Sequence, residues 1–182
     1  QALQVSLYIE SQEHEKAVQS LLCLQRLAPG DSYTLFLEAR ILFMEGCSLL
    51  VLHKLQSALQ GANRQPVVLE KIYNLLGQCY RYFGNSAEST KSYLQAVKYA
   101  DTKQLAALEY SNYLFNRHYL PAADSATELA IGKKYNEFFT EIPQFLHRHR
   151  TFGKGKIRVG YISPDFRNHV VLRFSYALLR YY

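Results

Sequence analysis

The sequence predicts an all-α architecture, about four antiparallel helical hairpins wound into a right-handed superhelix, with the opening strand and helix of an α/β lobe at its C-terminal end. Three observations predict it. Apolar residues through about residue 140 recur at helical spacing, and Gly or Pro punctuates them into segments only a few turns long. Small and large residues then recur in register from one pair of segments to the next. After Thr140 the helical spacing stops, and charged and β-branched residues begin to alternate.

The clearest unit runs from Glu70 to Asp101, where Leu76-Gly77, Tyr80, Gly84, Ser89, Tyr93 and Ala96 follow the small-and-large alternation of a tetratricopeptide-type hairpin. Gly77 and Ala96 are small where the two helices must approach, Tyr80 and Tyr93 fill the space beside them, and Gly84 permits a tight turn. A second unit fits Ser32 to Gln65, with Ala39, Leu42, Gly46, Leu55 and Ala58 in the corresponding places. An earlier unit is in register from its middle through Tyr8, Ala17, Leu21, Leu24 and Pro29. The fourth, from Thr102, keeps Ser111, Leu114, Ala123 and Ala130; Pro121 interrupts its turn, and its second helix runs on toward Phe139. Residues 1–140 are thus the repeat array.

Residues 141–155, with Ile142-Pro143, the basic run His147 to Arg150 and Gly153-Lys154-Gly155, read as a linker. Lys156 to Ser163 alternates and then turns apolar like a first strand of a parallel sheet, Pro164 ends it, Asp165 to His169 forms a polar turn, and an apolar helical pattern resumes from Val170 to Tyr182. A lone strand and helix bury too little apolar surface for a domain, so the reading is of a longer protein's lobe cut short.

The composition is that of a folded chain, nearly half apolar and one-fifth charged. No apolar run approaches the ~20 residues that span a bilayer, and no secretory signal pattern opens the chain, so the expected location is cytoplasmic, away from membrane. Cys23, Cys47 and Cys79 lie singly inside helical patterns and read as buried thiols rather than metal ligands. The net charge of +6 is concentrated around the linker. Because the tyrosines fall at packing positions and not on a basic sheet face, a nucleic-acid partner is disfavoured.

The run KIRVGYISPDFRNHVV, residues 156–171, directly after such repeats, resembles the start of the catalytic region of the O-GlcNAc transferase family and its bacterial relatives. The preceding YSNYLFNRHYLP, residues 110–121, resembles the linking hairpin of bacterial members. The resemblance implies a cytoplasmic inverting glycosyltransferase with two Rossmann-like lobes of GT-B type. It would take a UDP-sugar donor, typically UDP-GlcNAc, without metal, and a Ser or Thr hydroxyl on a protein or peptide acceptor that the repeats position. The second lobe is not in this chain, and Gly153-Lys154-Gly155 precedes the strand instead of following it as a phosphate loop would. The 182 residues alone are therefore expected to be inactive and to hold no cofactor.

By the same resemblance His169, in the DF-x-x-H loop, is the candidate catalytic residue, and its pKa range suits proton transfer. Capping the next helix or bonding to Asp165 is the structural alternative. A second family histidine four residues on is replaced here by Arg173, and the family's asparagine ladder is largely missing. The inward register positions offer Phe36, Arg40, Asn74, Gln78, Arg81 and Tyr82 as the peptide groove. A free-standing adaptor whose last helix caps the array is the alternative function, and the exposed ends of such a stack offer a route to homo-oligomers.

Overall fold

The structure is a computed structural model that describes residues 1–46, 48–62, 65–121, 123–143 and 160–181. It divides into two compact units, Gln1–Pro143 and Gln144–Tyr182. The first contains eight α-helices among the described residues: α1 Ala2–Glu10, α2 His14–Leu27, α3 Ser32–Glu45, α4 Leu49–Gly61, α5 Pro66–Tyr82, α6 Ser86–Tyr99, α7 Lys103–Arg117 and α8 Ser125–Lys134. A 3-10 turn, Tyr135–Phe139, extends α8, as the run of pattern toward Phe139 predicts.

Helix starts follow from local hydrogen-bonding chemistry. Asp31 accepts from the Tyr33 and Thr34 amides, each at 3.0 Å, satisfying two donors that the first turn of α3 leaves open. Asn85, Thr102 and Asp124 do the same for α6, α7 and α8. Pro66 occupies the first turn of α5, where its missing N–H costs nothing. Gly84, at φ +74°, makes the α5–α6 turn. Replacing Asp31 by Ala is expected to cost about 1 kcal/mol in chemical denaturation, as for other lost helix caps.

Consecutive helices pair as hairpins, α1 with α2, α3 with α4 and α5 with α6, and α7 packs on α6. The first helices also touch one another, α1 with α3 and α3 with α5, so they form one wall of the array. Val5, Leu37, Val51, Leu55, Ile72 and their neighbours are buried in a continuous apolar core through α5. A separate aromatic cluster follows: Tyr93, Tyr110 and Tyr113 are buried, with Tyr135 and Phe138 packed against them. The Tyr110 hydroxyl donates to the Ile131 carbonyl at 2.9 Å, which gives this ring a partner on α8.

Where α5 crosses α6 the helices come close enough that a Cβ built on Gly77 meets the Tyr93 ring at 2.8 Å. There the Ser89 hydroxyl donates to the Gly77 carbonyl at 2.6 Å, and the Asn116 amide donates to Ser89 Oγ. One buried polar chain thus joins α5, α6 and α7.

The second unit contains α9, Val170–Tyr181, where the sequence places its last helix. The strand expected at 156–163 finds no support among the described residues. Residues 156–159 lie outside the described residues, while 160–163 carry no regular secondary structure. A strand persists through ladder hydrogen bonds to a neighbour, and no second strand stands among the described residues to supply them. The buried-thiol expectation is also corrected in part: Cys79 is buried, Cys23 is exposed because it faces away from the α2 core stripe of Ala17, Leu21 and Leu24, and Cys47 lies outside the described residues. No described helix is long and apolar enough to cross a membrane.

Candidate functional site: an acidic groove on the first helices

Because α1, α3 and α5 stand side by side, their outer faces and the start of α7 enclose a groove of about 710 Å³. Its wall combines apolar side chains, Ile9, Phe36, Phe43 and Leu108, with Arg40, Asn74, Gln78, Glu70 and Glu109. That mixture of an apolar body with a few placed polar groups is the chemistry of a ligand-binding cleft.

The polar side is an ordered line. Glu70, Asn74 and Gln78 are spaced four apart on α5 and so share one face. The Gln78 amide donates to Asn74 Oδ1 at 2.6 Å, and the Asn74 amide donates to Glu109 Oε1 at 2.7 Å, tying α5 to α7 across thirty-five positions of sequence. Glu109 is 1% exposed and Glu70 5%. Burial lifts the Glu109 carboxyl above its ordinary range, against the hydrogen bonds from Asn74 and Asn112. Burial, and then repulsion from Glu109, push Glu70 to about 7. No hydrogen bond or ion pair holds the Glu70 carboxylate among the described residues. Nor is it sealed in: among those residues Asn116 Oδ1 is the buried side-chain oxygen that is both closed to solvent and partnerless. Glu70 is one of the residues that line the groove.

Of the six groove residues expected from sequence, Phe36, Arg40, Asn74 and Gln78 line this cleft. Phe36 is buried and stacks on Tyr33 at 5.8 Å, so it forms the floor and offers no free ring face. Arg81 and Tyr82 do not line it. Both are exposed in the last turn of α5, and Tyr82 sets its ring edge against Phe83 at 5.7 Å. Along α5 the cleft reaches Gln78 and does not extend to Arg81 and Tyr82. Glu70 and Glu109 are the acidic pair in the lining that the sequence reading did not name. The signal for Glu70 is a charge inside the apolar run Val67 to Leu76, four residues before Asn74.

His169 belongs to the second unit. Its Nδ1 accepts from the Val171 amide at 3.3 Å, and its own amide donates to the Arg167 carbonyl at 2.6 Å. The Asp165 carboxylate lies 3.8 Å from Nδ1, and Ser163 Oγ accepts from the Asp165 amide at 3.1 Å. In a neutral ring, an Nδ1 that accepts leaves the proton on Nε2. The structure therefore shows the helix-capping contact named as the alternative for this residue.

Among the described residues no cluster of three or more His, Cys, Asp or Glu is arranged to hold a metal ion. No protein-family model matches the chain, and a search of curated proteins finds no match.

Proposed function

We propose that the chain is a peptide-binding helical-repeat module of the tetratricopeptide type, and that it positions a protein acceptor for a UDP-sugar-dependent O-glycosyltransferase whose catalytic lobe opens at residue 156. The observation that carries the peptide-binding half is the groove. It mixes apolar side chains with the amide and carboxylate groups of Glu70, Asn74, Gln78 and Glu109, which suit an extended backbone with its own donors and acceptors. The transferase half rests on the run at 156–171 and its place after the repeats. In that reading UDP-GlcNAc is the donor, His169 stands at the sugar-transfer cleft, and its Nε2–H is a hydrogen-bond donor available to a substrate, since Nδ1 is engaged by the helix.

Two measurements separate the halves. A photo-crosslinking residue at Gln78 should capture Ser- and Thr-containing peptides that the same residue at Tyr82, outside the groove, does not; equal capture at both would refute the groove. The product of the complete open reading frame should transfer label from UDP-GlcNAc to protein, and His169→Ala should reduce the transfer by about a hundredfold, the lower range for a lost transition-state hydrogen-bond donor. Absence of transfer from any UDP-sugar, with crosslinking intact, would leave a free-standing adaptor as the function.

A further inference from the structure

We infer that the groove selects peptides by a basic side chain, Lys or Arg, seated against Glu70 and Glu109. This rests on the groove's being a peptide site and specifies what that site reads. Carboxylates are rarely buried without a cation or a full set of hydrogen-bond donors. Glu109 has donors in Asn74 and, at 3.5 Å, Asn112. Glu70 has none among the described residues, although it is 5% exposed and lines the cleft. Two nearby carboxylates with one of them unmatched form a place where an incoming positive charge gains twice, by relieving their repulsion and by supplying the missing donors.

The cations already present do not fill this role. Arg40 and Lys71 both line the groove, yet neither lies within ion-pair distance of either carboxylate among the described residues. Lys71 acts on Glu70 only as a favourable charge at longer range, and Asp101 and Glu109 oppose it. The apolar side chains Phe43 and Leu108 in the lining suit the methylene stem of a long basic side chain while its head reaches the carboxylates. Glu70, protonated in part near neutrality, would ionise as the cation arrives, so binding should release a proton.

The test uses the full chain and fluorescein-labelled seven-residue Ser/Thr/Ala peptides that differ only at the central residue: Lys, Arg, Gln, norleucine or Glu. Lys and Arg peptides should bind about tenfold tighter than the Gln and norleucine peptides, the value of a charge-assisted contact. Glu70→Gln, which keeps the shape and removes the charge, should abolish that preference, so that the Lys, Arg and Gln peptides bind the variant alike. Calorimetry at pH 7 in buffers of different ionisation enthalpy should show proton release with the Lys peptide and none in Glu70→Gln. Equal affinity across the set would overturn the inference and keep the peptide groove. Preference for the central Glu would assign the cleft to Arg40 and Lys71 instead and overturn it also. If no peptide binds at all, the groove reading falls together with it.

Discussion

Replacing Gly77 by Val is expected to destabilise the array by about 3 kcal/mol, the upper part of the range for overpacking a well-filled core. The first atom added is already inadmissible: a Cβ at 77 would stand 2.8 Å from two carbons of the Tyr93 ring. That ring is 2% exposed and closed in by α5, α6 and α7, so it cannot swing aside into solvent. Opening the crossing would also stretch the Ser89-to-Gly77 hydrogen bond and its continuation to Asn116. Helix propensity works in the opposite direction, since Val is a better helix former than Gly by a few tenths of a kcal/mol and Ala by about 1. Gly77→Ala should accordingly lose less than Gly77→Val, despite the same first clash. Thermal unfolding followed by circular dichroism should show Gly77→Val melting about 6–12 °C below the parent chain. A melting point equal to or above the parent's would mean that α5 and α6 do not meet at this distance.

That crossing also shows what is legible in a sequence of this kind. Close approach of two helices leaves space only for very small residues, so Gly77 and Ala96, with the large Tyr93 between them, mark the contact without any structure. Caps such as Asp31 and Asp124 are legible because their chemistry is local. The groove is harder. Spacing along α5 gives the inward face, but it does not say where the neighbouring helices stop, and this is why Asn74 and Gln78 line the cleft while Tyr82, one turn on, stands in solvent at 68% exposure. Glu109 could not be found from sequence because its partner Asn74 lies on another hairpin, and its own segment reads as an ordinary amphipathic helix. The expected strand after residue 155 was read from alternation alone, and alternation describes a strand only where a neighbouring strand completes its hydrogen bonds.

The second large effect expected is a pH-dependent stability that Glu70→Gln removes. In the folded chain burial, then Glu109, raises the Glu70 carboxyl from an ordinary 4.5 to about 7. Between these values the native state keeps the proton and the unfolded state releases it, so the unfolded state binds fewer protons and stability falls as pH rises. The contribution is fully present below 4.5, declines by about 1.4 kcal/mol per pH unit, and is lost once pH passes about 7, for a total of about 3 kcal/mol. Other charged groups stand around the site or elsewhere on the chain. Lys71 on α5, Asp101 before α7, Glu109 on α7, and Arg40 and Glu10 across the groove all face or influence the site, and Glu13, Asp124, Glu128 and Glu141, each held below its usual range by surface partners, favour folding as pH rises. All of these remain in Glu70→Gln, so the difference between the two denaturation curves isolates the one carboxyl. Near pH 4 the variant and parent should unfold at nearly the same denaturant concentration; at pH 8 the variant should be more stable by about 3 kcal/mol. Parallel curves across that interval would show that Glu70 ionises freely in the folded chain. A group that ionises freely would gain nothing from an incoming ammonium or guanidinium beyond a surface contact, so the same titration also measures the unmet electrostatic demand that a basic side chain in the groove would satisfy.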